Sequence, residues 1–394
     1  MDGITYLDWA ATAAIRPPEV VDAVAGYLRD IGATPGRGGH RLAIAAGRVA
    51  LDCTQSLAAL LGIPGDTGRI AFTFNATHGI NTAMAGVLDA GDIVVVTVFD
   101  HNAVLRCAHR LSRERGVEVR MVPGAPDGSL DDVALERALN GAKLFTVNGA
   151  SNVLGTRLDI ARLCALARAA GAMTLVDTAQ IAGDIPFDAA ACGADMVAVT
   201  GHKALLGPQG TGALWVRPGI DVRPLLVGGT GGDSMLRDMP VSWPDHIQAG
   251  TLNGPGIAGL GAGLAWIRHR TVEGIHAEAA ALKQRLRDGL ASIGGVRVLS
   301  PPSPDGAPIV TITASTVDAA TLATRLDRDH GVLARPGLHC APETHRLLGT
   351  AATGALRFSV GWATTTDDVD RAVLAVDAVA GGRTLAVSGG VHRA

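Results

Sequence analysis

The strongest constraint on this chain is an alternation that begins at Ile70. Apolar runs near residues 70–74, 93–98, 117–122 and 144–147 are separated by stretches of helical spacing that start at Thr77, Asn102, Asp131 and Ile160. Two further runs follow, one ending at Leu175-Val176 and one reading Met196-Val-Ala-Val-Thr200. Runs this uniformly apolar are buried on both faces, the condition of parallel strands covered by crossover helices. The expected fold class is therefore α/β, with a mostly parallel, doubly wound sheet. Ligands collect beyond the carboxyl ends of the strands in such sheets, so polar residues that end an apolar run are where chemistry is expected.

Length sets the next bound. A chain of 394 residues with 47% hydrophobic and 18% charged residues exceeds what one core usually serves. The texture changes after Gly254-Pro-Gly256, first to two long helices, 257–270 and 272–293, and then to short strands near 309–313 and 356–360. Three units are expected: an extended segment, 1–15, packing with the smaller domain; a large domain, 16–255; and a small α+β domain, 256–394. Within the large domain Pro17 opens a helix to Asp30, a glycine-rich loop spans 32–39, and a second helix covers about 40–61. The end of the chain, 389–394, reads as a frayed tail.

A net charge of −3 gives no field for nucleic acid or an anionic membrane. Five cysteines are scattered singly, without Cys-x-x-Cys pairs, which argues against a disulfide framework and a zinc site, so no metal is expected. The start, Met1 to Asp8, lacks the basic and apolar regions of a signal peptide, and no apolar stretch reaches membrane-spanning length. The expectation is a cytoplasmic enzyme whose partners are small molecules or proteins.

Two strand ends carry the chemistry. Asp177 and Gln180 stand in Val176-Asp-Thr-Ala-Gln180, and Lys203 in Thr200-Gly-His-Lys203. Taken singly, each is an ordinary strand-end or loop residue. Together they suit pyridoxal 5'-phosphate: a lysine condenses with the cofactor aldehyde as a Schiff base, and an aspartate keeps the pyridine nitrogen protonated so that the ring accepts electrons. Asn75-Ala-Thr-His78 adds backbone amides and a hydroxyl at a predicted helix start, where an anion is favoured.

With those residues in order, the chain resembles the class V aminotransferase superfamily of fold type I pyridoxal phosphate enzymes, and within it the cysteine desulfurases. The resemblance runs from Tyr6-Leu-Asp-Trp-Ala-Ala11 to Arg357-Phe-Ser359. It implies that Lys203 is the Schiff-base lysine and later the base for the substrate Cα proton. It implies further that Asp177 holds the pyridine nitrogen, that Gln180 and Asn152 approach the ring hydroxyl, and that His101 stacks on the ring and takes part in catalysis. Ala76, Thr77, Thr200 and His202 are implied around the phosphate. Thr251, in Ala249-Gly-Thr-Leu-Asn253, matches a residue that the family supplies from the neighbouring subunit, so a homodimer is implied. Arg357 is implied to grip the substrate carboxylate, with Asn152 and Arg37 near it.

The fold and cofactor alone permit several reactions, and Cys340 selects among them. It lies in Arg335-Pro-Gly-Leu-His-Cys-Ala341, a polar turn-rich loop, whereas Cys53, Cys107 and Cys164 fall in predicted helices and Cys192 in a small apolar turn. His339 beside it and Arg335 nearby give reasons for an activated thiolate. The segment resembles the sulfur-accepting loop of group II desulfurases. The implied reaction converts L-cysteine to L-alanine and leaves a persulfide on Cys340, to be passed to a protein acceptor or a reductant. Two departures stand out: Leu338-His-Cys340 replaces paired histidines, and Asp100-His-Asn102 replaces Glu-His-His. Selenocysteine lyase or other C–S lyase action, and a class V aminotransferase or epimerase in which Cys340 is incidental, are the alternatives.

Overall fold

The apolar runs form strands where the alternation places them. In the computed structural model, which describes residues 3–36, 38–232 and 234–381, the chain opens with β1 (Thr5–Tyr6). The central sheet follows with β2 (Ile70–Thr73), β3 (Ile93–Thr97), β4 (Glu118–Val122), β5 (Leu144–Asn148), β6 (Met173–Asp177), β7 (Met196–Thr200) and β8 (Gly212–Val216). Their spatial order is β2-β8-β7-β6-β5-β3-β4. Pairing is parallel from β4 through β3, β5 and β6 to β7, and the α/β class with a mostly parallel sheet is what the sequence predicts. Arg37 and the expected tail lie outside the described residues.

β8 is the strand that the alternation does not announce. It returns from β7 through the Lys203 loop without a crossover helix, so it can only run antiparallel, as it does against both β7 and β2. Helices cover both faces of the sheet: α1 (Pro18–Gly26), α2 (Arg41–Leu60), α3 (Ala76–Val87), α4 (Asn102–Arg115), α5 (Asp132–Leu139), α6 (Ile160–Ala169), α7 (Ala189–Cys192) and α8 (Gly254–Arg270). The first is shorter than expected as an α-helix, because the chain widens into a π-turn at Tyr27–Ile31 and stops at Gly32 in the left-handed region.

Alternation along each strand divides the core into two layers. Phe145, Val147, Val176, Val197 and Val199 point into one layer, which includes Ile257, Leu260 and Leu264 of α8. Leu144, Leu175, Met196 and Ala198 point into the other, against Ile80 and Met84 of α3 and Val104 of α4.

The remaining helices are α9 (Val272–Ala291), α10 (Ala319–His330), α11 (Pro342–Leu347) and α12 (Thr366–Ala380). They accompany β9 (Val296–Val298), β10 (Ile309–Ala314), β12 (Arg335–Gly337) and β13 (Ala355–Ser359), an antiparallel sheet of order β12-β13-β10-β9. β11 (Val332–Leu333) pairs in parallel with β1. A third core forms here from Leu286, Leu326, Phe358 and Val376, and Leu7 from the start of the chain is buried in it.

This topology delivers the polar residues to one place. Asn148 ends β5, Asp177 ends β6, Thr200 ends β7, and Lys203 begins the turn beyond it. From the other sheet, Arg335 and Arg357 face each other as register partners across β12 and β13. The turn carrying Lys203 depends on Gly201, where a Cβ would sit 2.2 Å from Thr211 Oγ1 and 3.1 Å from the Thr211 carbonyl. Gly201 N donates to that same carbonyl at 2.8 Å. Gly201→Ala is expected to overpack this contact and lower unfolding stability by about 1–3 kcal/mol, a loss that a urea titration would measure.

Candidate active site

A single cavity beyond the carboxyl ends of β5, β6 and β7 collects Ala76, Thr77, His101, Asn152, Asp177, Gln180, Thr200, His202, Lys203, Cys340 and Arg357. These are all but two of the residues expected at the site: Arg37 lies outside the described residues, and Thr251 lines a neighbouring hollow with Phe74, His78 and Leu252. Size alone would point elsewhere. A groove between α1, α2 and α8 is larger, about 770 Å³ against about 230 Å³, but no lysine lines it and its thiol, Cys53, is pushed up to about 12 by burial. The smaller cavity carries the reactive groups.

Burial draws the Lys203 ammonium down to about 8, and Arg357 and Arg335 push the same way against the opposing pull of Asp177. A substantial fraction of the amine is therefore neutral and nucleophilic near neutral pH. Asp177 is itself raised by burial, opposed by its hydrogen bond from the Ala179 amide at 2.9 Å and by Lys203. A cationic ring nitrogen placed against it would favour its ionised form.

His101 heads α4, and its Nδ1 accepts from the Ala103 amide at 3.0 Å, so the ring caps the helix and lines the cavity at once. Burial and the neighbouring cations Lys203 and Arg335 lower it to about 4, which leaves it a neutral ring. His202 is held near 4 in the same way, with Nδ1 3.1 Å from Thr12 Oγ1. Gln180 Nε2 donates to the Ala10 carbonyl at 3.1 Å. Asn75 caps α3 by accepting from the His78 amide at 3.0 Å, so Ala76 and Thr77 supply the first turn.

Arg357 is 1% exposed. Its Nη2 meets Asp8 Oδ1 at 3.0 Å, and its Nη1 donates to the Asn152 carbonyl at 3.0 Å. Asp8 belongs to the Tyr6–Ala11 motif, yet its pairing crosses 349 positions of sequence and was not foreseen. Arg335, which the sequence placed only near the Cys340 thiol, also lines the cavity. The available signal was its spacing: on β12 it sits level with Arg357 on β13.

Cys340 enters the cavity from a turn in which His339 and Cys340 both take left-handed backbone, with φ of 50° and 58°. The ring nitrogens of His339 are not hydrogen-bonded to the thiol: Nε2 is engaged with the Arg335 carbonyl and Nδ1 with His345. The four other cysteines are apart from the cavity. Cys53, Cys107 and Cys164 are buried, and Cys192 ends α7.

Three buried polar atoms in the cavity residues, Thr200 Oγ1, Asn152 Oδ1 and Arg357 Nε, have no hydrogen-bond partner in the chain. Each carries a desolvation cost of about 1–3 kcal/mol unless a bound group satisfies it. The cavity gathers hydroxyl and amide donors, a carboxylate, an amine and a guanidinium, a set that suits an anionic aldehyde cofactor and an amino acid. Among the described residues no cluster of His, Cys, Asp and Glu is arranged to hold a metal ion. No helix among them is long and apolar enough to cross a membrane.

Known proteins are similar to this chain over nearly its whole length. A probable cysteine desulfurase of Methanothermobacter thermautotrophicus is 32% identical over 383 residues, covering 95% of this chain and 94% of that protein. One of Pseudomonas aeruginosa is 34% identical over 390 residues, covering 95% and 94%. The apo structure of the cysteine desulfurase from Thermococcus onnurineus NA1 superposes with a TM-score of 0.89 at 28% identity, covering 96% of this chain and 95% of that one. The model of the family Aminotransferase class-V matches residues 5–372, and the chain belongs to that family.

Proposed function

We propose that this protein is a pyridoxal 5'-phosphate-dependent cysteine desulfurase that converts L-cysteine to L-alanine and keeps the removed sulfur on Cys340 as a persulfide. The observation that carries the reading is the presence of an amine, a carboxylate, a buried guanidinium and a thiol, Lys203, Asp177, Arg357 and Cys340, around one cavity. The balance closes without an outside oxidant: L-cysteine and the Cys340 thiol give L-alanine and the Cys340 persulfide. Similarity to proteins named as cysteine desulfurases supports the reaction class.

When bound, the cofactor supplies an aldehyde for amine exchange and a ring that stores the electron pair of a Cα carbanion. Lys203 would hold it covalently, and its amine, once freed by exchange, would serve as the base that takes the Cα proton. Asp177 keeps the ring nitrogen protonated. Thr77, Thr200, His202 and the first amides of α3 receive the phosphate, where the helix dipole favours an anion. His101 would stack on the ring, and Gln180 and Asn152 would approach its hydroxyl. Arg357 orients the substrate carboxylate through the planar fork that Asp8 and the Asn152 carbonyl fix in place. The Cys340 thiolate attacks the substrate sulfur, and the Cβ–S bond breaks as the S–S bond forms.

The same reading makes the active unit a homodimer. Thr251 lies beside the exposed Phe74 and Leu226, and Val227 and Val241 add exposed apolar surface from the same region. A second copy seated there would bring its Thr251 to this chain's phosphate donors. Residues 16–255 then serve as the cofactor-binding unit, and 256–394 carry Cys340 and Arg357.

Three outcomes are expected. Cys340→Ser should keep the cofactor absorbance and its change on adding L-cysteine, while alanine and sulfide release in dithiothreitol fall by more than about 100-fold; an undiminished rate would remove Cys340 from the reaction. Reconstitution of cofactor-free protein should accelerate as pH rises through about 8, where Lys203 loses its proton, and Lys203→Ala should show no such acceleration in stopped-flow absorbance. Lys203→Ala and Thr251→Val protomers, each impaired alone, should recover activity when co-expressed, because one site of the mixed dimer then has both residues intact.

A further inference from the structure

Behind Cys340 three polar side chains form a buried file that starts at His339, which lines the cavity, and runs away from it to His345 and Thr350, which do not. His339 is 4% exposed, His345 0% and Thr350 6%. His339 Nε2 lies 2.9 Å from the Arg335 carbonyl, His339 Nδ1 lies 3.1 Å from His345 Nε2, and His345 Nδ1 lies 2.8 Å from Thr350 Oγ1.

The hydrogens in this file have one consistent arrangement. A carbonyl only accepts, so His339 Nε2 carries a proton. Burial and Arg357 push His339 down to about 3, and burial pushes His345 down to about 4, so both rings are neutral and each has a single N–H. His339 Nδ1 is then an acceptor, which makes His345 Nε2 the donor. His345 Nδ1 must in turn accept from the Thr350 hydroxyl. Every ring nitrogen is satisfied in this order and in no other.

The file braces a strained turn. Two consecutive non-glycine residues, His339 and Cys340, stand in the left-handed region at φ of 50° and 58°, a conformation that persists only where its surroundings impose it. Two contacts fix the backbone from outside: Asn152 Nδ2 donates to the His339 carbonyl at 2.5 Å, and the Asn102 amide donates to the Cys340 carbonyl at 2.7 Å. The ring of His339 is hydrogen-bonded on one side to the Arg335 carbonyl and on the other to His345.

We propose that His345 and Thr350 are positioning residues for sulfur transfer: by donating in series to His339 they lock the His339-Cys340 turn and aim the Cys340 sulfur into the Lys203 cavity. The inference rests on Cys340 being the sulfur acceptor. Neither His345 nor Thr350 lines the cavity, so their removal reaches it only through His339.

The test compares holoenzyme variants that keep or remove the donor. His345→Leu removes it, His345→Gln replaces the Nε2–H with an amide N–H, and Thr350→Val removes the far end. His345→Leu should slow Cys340 persulfide formation, followed by mass spectrometry, about 10-fold, with the KM for L-cysteine and the cofactor spectrum unchanged. His345→Gln should recover most of the rate, and Thr350→Val should give a smaller loss. Iodoacetamide provides a readout independent of turnover: Cys340 should alkylate faster in His345→Leu than in the parent, while the buried Cys53, Cys107 and Cys164 stay protected. Faster alkylation of all four would mean general loosening and would overturn the proposal, as would a parental persulfide rate in His345→Leu or a His345→Gln as slow as His345→Leu. Should His345→Leu not fold, Thr350→Val decides by the same two measurements. A parent enzyme that forms no persulfide from L-cysteine would sink the desulfurase reading, and the alkylation pattern would still judge the brace.

Discussion

The buried guanidinium of Arg357 is the junction on which the arrangement depends. A charge with 1% exposure is tolerable only when paired and hydrogen-bonded, and its partners come from distant segments. Asp8 supplies the carboxylate from the start of the chain, Asn152 the carbonyl from the loop after β5, and β13 the arginine. The N-terminal segment is thereby tied to the second sheet, where β1 pairs with β11 and Leu7 enters the third core. Asn152 adds a second tie, because its side chain donates to the His339 carbonyl next to Cys340. The guanidinium and the thiol-bearing turn are thus placed by one network.

Around that junction the electrostatics follow a single pattern. Lys203, Arg335 and Arg357 concentrate positive charge in a space with Asp177 as its buried carboxylate. Burial and those cations hold His101 neutral, and burial with Lys203 does the same for His202. Neutral imidazoles add no charge to that of the cations, and Lys203, drawn down to about 8, is the cavity cation whose proton moves closest to neutral pH. Asp100, just ahead of His101, is pushed up to about 7 by burial. It accepts from the Thr97 amide at 2.6 Å and Thr146 Oγ1 at 3.1 Å, so this departure from the glutamate of the resembled family closes the end of β3.

Much of the site was legible in the sequence because its residues end strands that announce themselves. Asp177 and Thr200 close apolar runs buried on both faces, and a helix follows each earlier run, so a parallel sheet and its ligand-bearing edge follow from periodicity. β8 was not legible: Gly212-Ala-Leu-Trp-Val216 is short, and only the missing crossover distinguishes an antiparallel return. β12 is interrupted by Pro336, which weakens any strand signal, yet its pairing with β13 sets Arg335 opposite Arg357. Asp8 and His345 gave no local sign, since a salt bridge across 349 positions and a histidine file formed through a folded turn leave no periodicity.

The sequence by itself determined the α/β alternation, the strand ends that carry the amine and the carboxylate, and the loop that carries the thiol. These properties are local: each depends on hydrophobic period and on what residue follows a run. Tertiary structure alone decided that Arg357 is held by Asp8, that the His339 ring turns from the thiol toward His345, and that one cavity rather than the larger groove unites Lys203 with Cys340. Those outcomes depend on which segments meet when charges are buried and must find partners, and that condition is set by the whole chain at once.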